Sequence, residues 1–343
     1  MRALTIVIII VLFTNCGVYL RKPQVGNNAL WKTIQYNDSA EFCLLSQRLS
    51  IDSVINRHDG KVYHANDKCF KLAATELNAG INDVSLIFHL SNGTKRRKSE
   101  RFYMVSDVIP MQYSVQNYTT ICHDTSAYTQ GLIYHDDCLY ESTGLRGKSS
   151  LRTIDPQNGV TLNTYLLKDS IFGEGITFYN SEIKMLTWKD SLSLCFNEDL
   201  HFLAQHVYPR EGWGLTTVND KLLASDGSDR LYYLSDDLNQ IDSSFQVFNH
   251  RGAVYYLNEL ENVYGDIWAN ILGKDTIMVI DTDNGHVKAE IDVTHCIDRL
   301  RYPEAGALNG IAFDQANRII YLTGKNWPFM LIWQPLFFEK QNN

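Results

Sequence analysis

Short stretches in which apolar and polar residues alternate recur along this chain, with turn-forming residues between them. Between residues 28 and 110 the alternating or β-rich pieces are Phe42 to Leu45, Lys61 to His64, Cys69 to Ala73, Val84 to Leu90 and Arg101 to Val105. Turn signals separate them: Asn56-Arg-His-Asp-Gly60, Asn78-Ala-Gly80 and Asn92-Gly93. A period of two places successive side chains on opposite faces of a strand, so this spacing predicts a small β-sandwich of immunoglobulin-like type. No acids, bases or nucleophiles cluster in it, which makes it a spacer or docking module. Pro110 marks the expected boundary.

From Tyr128 onward the pattern repeats. Each copy has an apolar strand, a tight turn and a second strand. The first strands begin at Thr129-Gln-Gly-Leu-Ile-Tyr134, Gly173-Glu-Gly-Ile-Thr-Phe178, Gly212-Trp-Gly-Leu-Thr-Thr217, Leu257-Asn-Glu-Leu-Glu-Asn262 and Leu308-Asn-Gly-Ile-Ala-Phe313. Aligned at Gly131, Gly175, Gly214, Glu259 and Gly310, the steps are 44, 39, 45 and 51 residues. A period of this size with several strands per copy predicts an all-β, five-bladed β-propeller over residues 111–338. Ser150 to Ile154 and Thr276 to Ile280 read as outer strands. Tyr113 to Cys122 is expected to close the ring by pairing with the final blade.

The residue before each aligned position is Gln130, Glu174, Trp213, Asn258 or Asn309. First strands line the channel of a propeller, so these positions converge at one mouth of it. Trp188 and Lys325, further along the second strands, form a second convergent set. These groups either plug the channel by hydrogen-bonding one another or line a small-ligand pocket with apolar walls and a few aimed polar groups.

Charge narrows the function classes. The net charge is −8 and there is no basic stripe, so nucleic acid is a poor partner. The one basic run, Lys95 to Lys98, follows Ser91-Asn92-Gly93 and reads as a solvated hairpin tip. At the N-terminus Met1-Arg2 precedes an apolar stretch from Ala3 to Phe13, too short for an ordinary membrane span. Cys16 directly after it resembles a bacterial lipoprotein processing site, although Asn15 replaces the usual small residue. Lipidated Cys16 would anchor an exported chain to a membrane of the bacterial cell envelope, as a periplasmic lipoprotein. Plain export and an uncleaved anchor are the alternatives. The other six cysteines, at 43, 69, 122, 138, 195 and 296, include no C-x-x-C pair, so a thiolate zinc site is not expected and the pairing stays open. Asn and Asp oxygens in the channel suit a structural calcium, but no spacing specifies one.

Tyr128-Thr-Gln-Gly-Leu132, Phe172-Gly-Glu-Gly175, Leu186-Thr-Trp-Lys189, Glu211-Gly-Trp-Gly-Leu215, Leu257-Asn-Glu-Leu-Glu261, Trp268-Ala-Asn270 and Thr323-Gly-Lys-Asn-Trp-Pro328 follow one another in unbroken order. This set resembles the plant and bacterial type of glutaminyl-peptide cyclotransferase. The resemblance implies an enzyme that converts N-terminal glutamine of peptides or proteins to pyroglutamate and releases ammonia, without cofactor or catalytic metal; a monomer is expected. It implies Glu174 as the acid/base residue, and Gln130, Phe172, Trp188, Trp213, Asn258 and Lys325 as substrate-binding positions. Two positions depart: Tyr128 stands where Phe is common, and Leu272 where an aromatic is usual. No G-x-S-x-G motif or triad competes with this chemistry. The rival from another class is a non-catalytic propeller lipoprotein that binds peptides or sugars.

Overall fold

Two-residue turns build the repeating part of the chain. Asp136-Asp137, Asn180-Ser181 and Asn219-Asp220 have positive φ at both residues, and Tyr264-Gly265 does the same. That is the turn whose twist matches two antiparallel strands, and Asn, Asp and Gly tolerate its left-handed backbone best. The turns close the hairpins at His135↔Cys138, Tyr179↔Glu182, Val218↔Lys221 and Val263↔Asp266.

The computed structural model describes residues 17–22, 26–27 and 31–336. Cys16 and the apolar segment before it lie outside the described residues. Apart from two short 3-10 turns, Ala74–Glu76 and Thr294–Cys296, the regular structure among the described residues is strand. No helix among them is long and apolar enough to cross a membrane. The chain divides into two compact units between Asp107 and Val108.

The first unit contains a three-stranded sheet, with Ser39–Leu44 between Val18–Lys22 and Cys69–Ala73, and a six-stranded sheet centred on the long hairpin Gly80–Leu90 and Lys95–Val105. Phe42 of the smaller sheet meets Phe88 and Phe102 of the larger at 5.9 and 6.5 Å between ring centres, so the two sheets share one core. Cys43 and Cys69, opposite each other on neighbouring strands, form a disulfide. The run Lys95 to Lys98 is not the tip of the hairpin. It opens the strand Lys95–Val105, where Lys98 pairs with Glu100 at 2.7 Å; the tip is Ser91 to Thr94.

The second unit is built on five antiparallel meanders, four of four consecutive strands and one of three completed by an earlier one, and also holds a two-stranded hairpin of Phe248–Asn249 and Gly252–Ala253. The first sheet runs through Thr129–His135, Cys138–Thr143, Ser150–Ile154 and Thr161–Leu166. The second is Gly173–Tyr179, Glu182–Thr187, Leu192–Phe196 and Phe202–Val207, and the third is Leu215–Val218, Lys221–Ser225, Arg230–Leu234 and Ile241–Gln246. The fourth comprises Leu257–Val263, Asp266–Ile271, Thr276–Ile280 and Val287–Asp292, the fifth Leu308–Asp314, Ile319–Gly324 and Phe329–Trp333. The stretch expected to close on the final repeat splits. Thr119–Cys122 does pair antiparallel with Phe329–Trp333, but Met111–Ser114 pairs in parallel with Val287–Asp292 of the fourth sheet. A four-residue strand exhausts one edge, and the chain between Ser114 and Thr119 carries it to the next.

No individual sheet closes on itself. The first strand of each sheet adjoins that of the next, and the first strand of the fifth adjoins that of the first. Apolar side chains fill each junction: Ile133, Ile176 and Met185 between the first and second sheets, Leu132, Leu139, Ala312 and Tyr321 between the fifth and first. Burying a Leu, Ile or Val contributes about 1.5–3 kcal/mol, so these layers hold the sheets together. The aligned glycines serve close approach. A Cβ on Gly214 would come within 2.0 Å of the Asn258 carbonyl oxygen, and one on Gly175 within 2.5 Å of the Leu215 nitrogen. The fourth repeat has Glu259 instead. Its buried carboxyl accepts from the backbone N–H of Ile311 (3.0 Å) and lies 3.4 Å from that of Leu132, tying the fourth sheet to the fifth and first.

Candidate functional site

The first strands carry their polar positions to one end. Hydroxyls in the second strands fix the backbone there: Ser142 Oγ donates to the Glu174 carbonyl at 2.6 Å, and Ser225 Oγ to the Asn258 carbonyl at 2.6 Å. Each hydroxyl thus anchors the residue that starts the neighbouring sheet. The result is a cavity of about 250 Å³ lined by Tyr128, Gln130, Phe172, Glu174, Trp188, Trp213, Asn258, Leu272 and Lys325.

All seven positions inferred as catalytic or substrate-binding from the sequence stand around this cavity: Glu174, Gln130, Phe172, Trp188, Trp213, Asn258 and Lys325. Asn309 does not line it. It sits behind the wall, fully buried, with Nδ2 donating to the Thr129 carbonyl (3.0 Å) and to Gln130 Oε1 (3.1 Å). Two lining residues carry no inferred role, Tyr128 and Leu272. Tyr128 precedes Gln130 by two, as Phe172 precedes Glu174, so the period of a strand was the signal that places them on one face.

Aromatic rings make one side. Phe172 lies 5.4 Å from Trp188 and 6.3 Å from Tyr128, centre to centre. The backbone N–H of Phe172 donates to Asp190 Oδ2 at 2.9 Å, which holds that wall in place. Gly144 backs it: a Cβ there would fall 2.4 Å from the Phe172 ring and 3.1 Å from Gln130 Cγ. Lys189 sits over the Trp188 ring at 4.3 Å and pairs with Glu211 at 3.2 Å.

Charged and polar groups make the rest. Glu174 is 4% exposed and Lys325 5%. Burial raises the Glu174 carboxyl well above the ordinary carboxylate range; the Lys325 charge and a hydrogen bond from Gln130 oppose the rise without cancelling it. Burial likewise lowers the Lys325 ammonium, against the pull of Glu174. The Lys325 Nζ stands 4.7 Å from the centre of the Tyr128 ring, a face that favours a cation. Two buried polar atoms of the lining, Trp213 Nε1 and Asn258 Oδ1, have no hydrogen-bond partner among the described residues. Buried polar atoms are nearly always paired, so an unpaired donor and an unpaired acceptor in one cavity wall point to a ligand. The groupings of metal-ligand type among the described residues, His135 with Asp136 and Glu198, and Glu41 with the disulfide-bonded Cys43 and Cys69, do not line the cavity.

The chemistry available is proton transfer at a carboxyl with a raised pKa, beside a cation and a complementary donor and acceptor, inside aromatic walls. A family model described as glutamine cyclotransferase matches residues 86–333. A glutaminyl-peptide cyclotransferase of Arabidopsis thaliana is 34% identical over 215 residues, covering 60% of this chain and 66% of the plant protein. The crystal structure of Myxococcus xanthus glutaminyl cyclase superposes with a TM-score of 0.59 at 30% identity, over 65% of this chain and 97% of that one.

Proposed function

Because the chain belongs to the glutamine cyclotransferase family, we propose that it converts the N-terminal glutamine of peptides to pyroglutamate with release of ammonia, Glu174 carrying the proton. The five sheets are then the blades of a five-bladed propeller, a reading supported by the return of the fifth first-strand to the side of the first. The observation that carries the functional reading is the cavity itself: one buried carboxyl of raised pKa faces groups that fit a primary carboxamide.

The reaction joins two groups of one residue, so the site needs to hold the ring-closing conformer and move a proton. The cavity is smaller than the ~300–1,000 Å³ typical of pockets for larger ligands, which suits a single terminal residue. Asn258 Oδ1 accepts from the substrate's carboxamide NH₂, and Trp213 Nε1 and Lys325 Nζ donate to its oxygen. The α-nitrogen attacks the δ-carbon. Ionised Glu174 takes the proton that the α-nitrogen loses. The negative charge that develops on the carboxamide oxygen is met by preorganised donors, an effect worth about 2.7–4 kcal/mol for one such donor elsewhere. Glu174 then returns the proton to the departing nitrogen, and the C–N bond breaks to give ammonia and the lactam. Proton transfer by a placed side chain contributes about 10²- to 10⁴-fold, most when its pKa lies near the working pH, which is the direction in which burial moves Glu174. Gln130, itself held by Asn309, orients the Glu174 carboxyl.

Export to the cell envelope with Cys16 lipidated remains part of this proposal. The Cys43–Cys69 disulfide supports an oxidising compartment. Mass spectrometry of a Gln-initial peptide incubated with the purified protein tests the function. Loss of one ammonia per peptide is the expected result; a stable complex without that loss would favour a peptide-binding protein instead.

A further inference from the structure

Two buried charged groups outside the cavity take no part in the steps above. His123, 6% exposed, follows the strand Thr119–Cys122, and Glu141, fully buried, lies in the second strand of the first sheet. His123 Nε2 is 2.8 Å from Glu141 Oε1, and Nδ1 is 2.8 Å from the carbonyl oxygen of Trp327. A carbonyl oxygen only accepts, so Nδ1 carries a proton. The His123 ring and the Thr129 hydroxyl, which donates to Oε1 at 2.6 Å, favour the ionised Glu141 carboxyl, and opposite an ionised carboxyl Nε2 carries a proton as well. The geometry is that of an imidazolium clamped between two acceptors. Burial alone would push both groups toward their neutral forms. The Glu141 charge instead holds the His123 ring above its ordinary pKa, and the His123 charge holds Glu141 below its own. Arg152 and Asp124, paired with each other at 2.8 Å, are the other charges that act on this contact.

Each end of the contact reaches a wall of the cavity. On one side Thr129 precedes Gln130, and Asn309 Nδ2 donates to both the Thr129 carbonyl and Gln130 Oε1. On the other, Trp327 closes the turn that presents Lys325: its N–H donates to the Gly324 carbonyl at 3.1 Å, and its Nε1 to the Gly306 carbonyl at 3.0 Å. Gly306 N–H in turn donates to the Lys325 carbonyl at 2.7 Å. The pair therefore straddles the seam between the first and fifth sheets. Gln130 hangs from one side of that seam and Lys325 from the other, and both act on Glu174.

We propose that His123 and Glu141 are positioning residues for the cyclisation, their buried contact holding Gln130 and Lys325 in register across the seam. This rests on the catalytic reading above. His123→Leu removes the clamp. Glu141→Gln keeps its shape once the Thr129 hydroxyl turns to accept: the amide NH₂ at the Oε1 position donates to a neutral Nε2 and to Thr129 Oγ1, while Nδ1 still donates to the Trp327 carbonyl.

The test has two arms. Steady-state kinetics on a Gln-initial peptide, below the melting range of every variant, should show kcat lowered about tenfold or more in His123→Leu. Glu141→Gln should stay within about threefold of wild type, a modest effect for a contact retained in neutral form. Leu234→Ala, a buried change in the third sheet, serves as a control for destabilisation and should leave kcat near wild type. Equal kcat in His123→Leu and wild type would overturn the proposal, and so would an equal loss in Leu234→Ala. Absence of turnover in the wild type would instead count against the cyclase reading. The second arm does not depend on turnover. Imidazole ¹⁵N NMR at neutral pH, assigned by comparison with His123→Leu, should show both His123 nitrogens protonated; an unprotonated ring nitrogen would overturn the clamp.

Discussion

Gly144→Ala is a small change with a specific cost. The glycine N–H donates to the Tyr128 carbonyl at 2.8 Å, and its φ is not in the left-handed region, so alanine meets no backbone penalty. The obstacle is the Phe172 ring. The new methyl would lie 2.4 Å from Cε1 and 2.5 Å from Cζ, where carbon atoms normally sit about 3.5–4.0 Å apart. Gln130 Cγ at 3.1 Å blocks escape to the other side. The ring must therefore move by about 1 Å or more, taking one wall of the cavity and the amide that orients Glu174 with it. Overpacking of this kind costs about 1–3 kcal/mol, and a displacement of about 1 Å near the reacting groups can cost roughly 10²-fold in rate. The expected outcome is a melting temperature lower by a few degrees and a kcat/KM down about 10- to 100-fold. Calorimetry and a coupled ammonia assay measure the two. Gly147→Ala is the control: its φ of +76° makes alanine strained, but no atom lies within 4 Å of the added methyl, so it should cost stability and leave kcat/KM alone. Wild-type kcat/KM in Gly144→Ala would refute the assignment of Phe172 and Gln130 to a rigid catalytic wall.

Three further outcomes follow from the structure. Lys325→Met removes the charge that opposes the rise of the Glu174 pKa, so the acid limb of kcat/KM against pH should move to higher pH, with kcat lowered; an unmoved limb would separate the two groups. Glu259→Gln places an amide NH₂ where the carboxyl now faces two backbone N–H groups, leaving one of them unpaired, and should lower unfolding stability by about 1–3 kcal/mol in urea titrations. Replacing Cys43 and Cys69 together by Ala opens a crosslink of sequence separation 26 and should destabilise the first unit by about 3 kcal/mol, read from its own unfolding transition.

Much of the cavity was legible in the chain because repeats convert spacing into convergence. Gln130, Glu174 and Asn258 occupy one register position in three first strands, and Trp213 stands at the matching place just before the strand Leu215–Val218, so geometry brings together residues far apart in sequence. Asn309 occupies the same position and stands behind the wall, its NH₂ spent on Thr129 and Gln130; register alone does not say which side of the backbone has room. Glu259 interrupts a row of glycines. Its function, two backbone N–H groups on two other sheets, is long-range and leaves no local signature. The same holds for His123 and Glu141, whose contact exists only once the fifth sheet returns beside the first. The path of residues 111–122 was half readable. β-propensity marks the strands, but the choice of edge depends on which neighbour offers unpaired backbone groups, and Met111–Ser114 joins the fourth sheet while Thr119–Cys122 joins the fifth. In the first unit, alternation located Cys69–Ala73 but not Ile51–Asn56, whose Asp and Ser interrupt the apolar pattern.

In the proposed mechanism Glu174 moves the proton in lactam formation. Glu174→Gln is close to isosteric and removes only the titratable group. The direct measurement is ammonia release from a Gln-initial peptide by this variant, with binding of the same peptide followed in parallel by calorimetry. Binding should stay close to that of wild type and ammonia release should fall by at least about 10²-fold. Release at the wild-type rate from a variant that binds the peptide normally would contradict that mechanism.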